Sequence, residues 1–190
     1  DFYLFTSQEA YAAHGGPPGS AGVFMVRGGE SRLFGIAGKE VSARTWHVCQ
    51  HEGFHQFVHH VIRGDIPVWV NEGLAEYFGE AVFSGDNFVT GIIPPGRLRR
   101  LQESIKAGRL KSIREMMQMS HEEWNSGLAI ANYDLGWSMI HFLVHGDDGK
   151  YVKALGKFTC ETASARMPYE QAWVRNLGRD VDGLQKRYNE

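Results

Sequence analysis

Positions 51–55 read His51-Glu52-Gly53-Phe54-His55, an H-E-x-x-H pattern. Residues four apart on a helix lie one turn apart on one face, so the two imidazoles can converge on a single metal ion. Zinc takes imidazole nitrogens at about 2.0–2.1 Å, and a catalytic zinc needs three protein ligands and one open position. Glu52, beside the first histidine, can reach a water held on that metal. The best candidate for the third ligand is Glu72, in Trp69-Val70-Asn71-Glu72-Gly73-Leu74-Ala75-Glu76. Residues 56–71 suffice for one helix to end, the chain to turn and a second helix to bring a carboxylate back. Glu76 is one turn beyond Glu72 on the same face, where it can accept a hydrogen bond from a liganding histidine and set its tautomer.

The elements that must position these residues follow from the apolar pattern. Residues 2–6 are short and aromatic and read as a strand, and Ser7 has the chemistry of a helix cap before residues 10–13. Residues 14–22 are loop by composition, and 23–26 and 33–36 read as strands of a hairpin turning at Gly28-Gly29. Val48, Phe54, Phe57, Val58, Val61 and Ile62 recur at helical spacing, predicting a long helix over 41–62 that Arg63-Gly64-Asp65 ends. Pro67 suits the first turn of a second helix reaching about residue 83. A loop over 84–96, short helices over 97–106 and 112–119, a strong apolar helix over 129–144, helices over 150–159 and 169–177, and a frayed tail complete the chain. Strands early and helices late indicate an α+β fold. We expect one domain over 1–190, with a lobe of strands and zinc helix over 1–65 and a helical lobe over 66–190.

Composition narrows the function. The chain has 190 residues, 43% hydrophobic and 22% charged, an ordinary globular balance able to build a core without disulfides. A net charge of −2 argues against a generally basic nucleic-acid binder. Apolar runs such as 66–70 and 139–144 are interrupted by Pro or His, far short of the ~18 residues of a membrane span. Cys49 and Cys160 form no C-x-x-C pair, and the sequence leaves their pairing open. No signal peptide opens the chain at Asp1; the compartment stays open, with a bacterial extracytoplasmic or secreted setting as the working expectation.

Other chemistry-bearing residues have ordinary readings. His47 and His59 lie four residues outside His51 and His55 and are expected at the helix surface or satisfied by neighbours, as are His60, His141 and His145. Arg97, Arg99, Arg100, Lys106, Arg109, Lys111 and Arg114 form a basic stretch. Leu98, Leu101, Ile105 and Leu110 are spaced as the buried face of an amphipathic helix, so these cations are expected in solvent. Met116, Met117 and Met119 are expected to fill gaps in the core.

Taken together, the motifs resemble the gluzincins, metallopeptidases whose zinc is held by H-E-x-x-H and a downstream Glu. Residues 69–75 are similar to the W-L-N-E-G-F-A signature of aminopeptidase N-like enzymes, in which the Glu is the third ligand after a slightly longer gap. With the later Tyr133-x-x-x-Trp137-x-x-x-x-Phe142-Leu143 run, the chain resembles bacterial peptidase-MA-like domains still more, and thermolysin-like enzymes more distantly. The resemblance implies one zinc ion on His51, His55 and Glu72, Glu52 as general base, and a peptide or protein substrate, cut internally. Asn132-Tyr133-Asp134-Leu135-Gly136 is similar to the Y-x-K-G segment of the aminopeptidase group, whose Tyr stabilises the oxyanion; that implies this role for Tyr133, with Leu135 where the group has Lys. Tyr77 is the second candidate for the role. No G-A-M-E-N-like segment precedes the zinc helix, so nothing argues for amino-terminal specificity. The equivalent stretch, 33–38, is an edge strand on which an extended peptide could pair. The alternative function is a catalytically silent, zinc-bound peptide-binding or interaction domain on the same scaffold.

Overall fold

The computed structural model describes residues 1–126 and 129–190. Ten α-helices and five strands are found among them. The strands β1 (Phe2–Phe5), β2 (Gly22–Arg27) and β3 (Glu30–Ile36) form one sheet in the order β1-β3-β2, with α1 (Gln8–Ala13) between β1 and β2 in the chain. Ser7 caps α1 as expected, its hydroxyl accepting the Ala10 N–H. The β2–β3 pairing is antiparallel through Gly28-Gly29, both at positive φ, while β1 pairs with β3 in parallel. This order corrects one expectation. The 33–38 segment offers no free edge, because β3 is bonded on both sides; the strands with an open edge are β1 and β2, and β2 is the one beside the cavity.

Helix α2 (Ala43–Phe57) starts at a reciprocal cap between Ser42 and Thr45, and its last stretch widens into a π-helical turn, Val58–Ile62. Arg63 stops it in the left-handed region at φ 56, its N–H bonded to the Val58 carbonyl at 2.9 Å. Gly64 follows because any Cβ there would collide with the Ala163 backbone. Pro67 caps α3 (Val68–Gly79). The predicted extension of this helix to residue 83 is wrong. The chain leaves the helix after Gly79, and β4 (Val82–Phe83) pairs with β5 (Phe88–Val89) across a turn with Gly85 at φ 104. β-branched and aromatic residues flanking Ser-Gly-Asp-Asn favour that hairpin over another helical turn.

The helical remainder comprises α4 (Pro95–Lys106), α5 (Ile113–Gln118), α6 (His121–Asn125), α7 (Ala129–His145), α8 (Val152–Ala163), α9 (Tyr169–Leu177) and α10 (Val181–Asn189). Two of these go beyond the sequence reading: α6, which Ser120 and Glu123 cap, and α10, where a frayed tail was expected. Burial of Val181 and Leu184 in the common core holds α10 in place. That core runs from Phe54 to Leu184 and centres on α3 and α7. The two helices pack so closely that a Cβ on Gly73 would stand 2.7 Å from the Gly136 carbonyl oxygen. No helix among the described residues is long and apolar enough to cross a membrane. Cys49 and Cys160 are unbonded.

Candidate metal centre

Helices α2 and α3 bring His51, His55 and Glu72 together. The two Nε2 atoms are 3.1 Å apart, and Glu72 Oε2 lies 3.5 Å from His51 Nε2 and 3.6 Å from His55 Nε2. Ligands about 2.0–2.1 Å from a tetrahedral ion are separated by about 3.3–3.4 Å. The three atoms therefore sit at the spacing of one face of such a tetrahedron, and the donor set of two imidazoles and a carboxylate fits a divalent ion.

The far side of each ring is engaged. His55 Nδ1 is 3.2 Å from Asn71 Oδ1, so Nδ1–H can donate there and leave Nε2 free. His51 Nδ1 is 3.1 Å from Glu76 Oε1, close enough to pair but without the alignment of a linear hydrogen bond. Burial pushes the His51 pKa down, yet Glu72 and Glu76 outweigh it and hold the ring up at about 10. Glu72 shows the reverse balance: burial raises it, while His51 and His55 bring it to about 2. Without a metal the site thus holds its charge as an ion pair, and an ion must displace a proton to enter.

Glu52 is buried beside the two histidines, and its Oε2 accepts the Phe24 N–H at 2.8 Å from the open edge of β2. Burial raises its pKa, and the two histidines only partly offset this. Tyr133, on α7, lines the same cavity of about 800 Å³ as His51, Glu52, His55 and Glu72. Burial, then the nearby Glu72 charge, pushes its phenol up, so the hydroxyl stays protonated. Tyr77 is elsewhere, buried with its hydroxyl 2.9 Å from His145 Nε2. Of the flanking histidines, His59 reaches the cavity wall and His47 joins the acidic side of α3, while His60 bonds Ser31 Oγ at 2.6 Å.

His51, Glu52, His55, Glu72 and Tyr133 thus line one cavity and Glu76 lies directly behind it, while Tyr77, the second candidate for the tyrosine role, does not reach it. The basic stretch is where the sequence misled. Arg97 is 7% exposed and sits among Glu76, Glu80 and Asp134, with its Nη1 also donating to the Tyr133 carbonyl at 3.3 Å. Arg100 makes a two-pronged bond to Asp134 at 2.6 and 2.7 Å. Leu98 and Ile105, expected inside, are exposed. The carboxylates of α3 and α7 rotate α4 so that Arg97 points inward one turn from the buried Leu101, leaving Leu98 and Ile105 outside. Asn71 could have been found from its place before Glu72; nothing local in the sequence marks Arg97.

This is a helix-borne His/His/Glu centre on an α+β scaffold. The chain belongs to the DUF1570 family, a protein family of unknown function, which it matches over residues 46–173, a stretch containing every residue of the centre. No curated protein and no solved structure matches it.

Proposed function

We propose that the chain is a zinc-dependent peptidase of the gluzincin kind. The observation that carries this reading is the tetrahedral spacing of His51, His55 and Glu72 in the cavity that Glu52 and Tyr133 also line. When bound there, zinc supplies Lewis acidity, lowering the pKa of a water from 15.7 toward about 7 and polarising a carbonyl. Glu52 takes a proton from the attacking water and delivers it to the leaving amine of the cleaved amide. Burial raises its pKa, which makes it a better proton acceptor than an exposed carboxylate, and the Phe24 N–H holds one oxygen still while the other works. The Tyr133 hydroxyl donates to the developing oxyanion, an interaction of about 3–4 kcal/mol in comparable sites. Asn71 and Glu76 orient the ligand rings.

The test is digestion of a diverse peptide mixture, read by mass spectrometry, with wild type and Glu52→Gln, each with and without chelator. New termini are expected only from the zinc-loaded wild type, with Glu52→Gln retaining the ion and losing turnover. Full activity in Glu52→Gln, or no cleavage by zinc-loaded wild type, would sink the reading.

A further inference from the structure

Among the described residues two groups could hold a metal ion: His51, His55 and Glu72, and His47, His51 and Glu76. They overlap at His51. Its Nε2 faces the first group and its Nδ1 the second. A neutral imidazole has one free lone pair, so whichever carboxylate takes the Nδ1 proton also directs the ion to Nε2. Something must therefore keep Glu76 an acceptor and stop it from becoming a ligand.

We propose that Arg97 selects between the two sets, confining the ion to His51, His55 and Glu72 by withholding the second set's carboxylate. This rests on the metal reading above. His47 approaches two oxygens, Glu76 Oε2 and Glu80 Oε1, each at 3.5 Å. Arg97 Nη2 contacts those same two oxygens, Glu80 Oε1 at 3.1 Å. Both oxygens that His47 itself approaches are thus already bonded to a guanidinium that cannot lose its proton, which leaves only Glu76 Oε1, on the His51 side. A dication seated between His47 and Glu76 would lie against that fixed positive charge, in a buried place where repulsion is weakly screened. The guanidinium cannot swing away easily, because Nη1 is held by Asp134 at 3.2 Å and by the Tyr133 carbonyl. The first set meets no such cation among the described residues: its carboxylate is paired only with His51 and His55. Arg97 is in this sense a positioning residue, acting on the ion through Glu76.

The experiment titrates the metal-free full chain with Co(II), reading stoichiometry and visible absorption bands. Wild type, His47→Ala, Arg97→Met and the double variant are compared, with circular dichroism as the folding control. Wild type and His47→Ala should take one ion with the same bands. Arg97→Met should take a second ion or shift the bands, and adding His47→Ala should restore the wild-type result. The proposal falls if Arg97→Met keeps the wild-type stoichiometry and bands. It falls if the altered bands persist without His47, since loosened packing alone would then explain them. It also falls if His47→Ala by itself strips the ion. Should Arg97→Met not fold, Arg97→Lys keeps the charge and must retain one ion with wild-type bands; a second, His47-dependent ion there overturns the proposal. A wild type that takes no ion defeats the metal reading separately: a His47-dependent ion gained by Arg97→Met would still bear out the selection, and no ion in either would end both.

Discussion

The helical region closes around fully buried Trp69, Trp124 and Trp173, whereas the N-terminal sheet leaves Phe2, Tyr3 and Leu4 at 47%, 41% and 42% exposure. Both regions nevertheless serve one cavity. The helices deliver the candidate ligands and the Tyr133 hydroxyl; the sheet delivers a main-chain N–H to Glu52 and a wall of β2. The difference teaches that persistence of the fold and alignment of the site are separable here: the first resides among α3, α7, α8 and α9, the second at the seam between β2 and α2.

The strongest way to break this comparison is Trp69→Ala. The indole stacks on Phe158, meets Trp173 edge-on and donates to the Tyr169 hydroxyl at 3.1 Å. Its loss should cost about 3–5 kcal/mol in urea unfolding; a cost under about 1 kcal/mol would show that the core lies elsewhere. Two glycines sharpen the contrast. Gly73→Ala drives a methyl into the Gly136 backbone and should cost about 1–3 kcal/mol. Gly22→Ala meets the Val48 side chain most closely and, each at 3.0 Å, the Glu52 side chain and the Phe34 carbonyl oxygen, at the rim of the core rather than between its two central helices. It should cost less stability yet reduce peptide turnover by as much as about 10²-fold through misplacement of Glu52. Equal stability losses with unchanged turnover would erase the distinction.

A smaller effect depends on pH. The folded pKa of His51 stands above its ordinary 6.5, so its pairing stabilises the metal-free fold fully below about 6.5 and is lost as pH rises toward about 10. Glu72 is depressed from 4.5 to about 2, so its contribution is present above about 4.5 and is lost on acidification toward about 2. Chelated protein should therefore unfold at lower urea at pH 9 than at pH 6, and saturating zinc should narrow that gap. Identical pH profiles with and without zinc would count against ligation by His51. The least change is expected at the exposed Arg114–Asp182 pair: Arg114→Ala should move stability by less than about 0.5 kcal/mol.

What could be read beforehand was whatever depends on neighbours a few residues away. The H-E-x-x-H face, the Glu72–Glu76 face, the Ser7 cap and the Gly28-Gly29 turn all follow from local periodicity or local φ preference. Arg97 was hidden because its burial is decided by carboxylates from α3 and α7 rather than by its own helix, where only Leu101 of the expected face stays buried. The order β1-β3-β2 was hidden for a related reason. A run of apolar residues shows that a strand exists and not which edges it pairs, and the parallel β1–β3 contact spans α1 and β2. The end of α3 was overrun because apolar residues continue through Val82 and Phe83, where pairing with β5 wins.

The contact between Gly73 and Gly136 has a consequence for the aperture of the cavity. Gly73 adjoins Glu72, and Gly136 lies one turn from Tyr133. Main chain rests on main chain there, so the separation of α3 and α7 beside the cavity is gauged by backbone contact more than by compressible side chains. The two jaws of the cavity behave as a caliper with its screw tightened: substitutions deeper in the core can soften the molecule while this gap keeps its width.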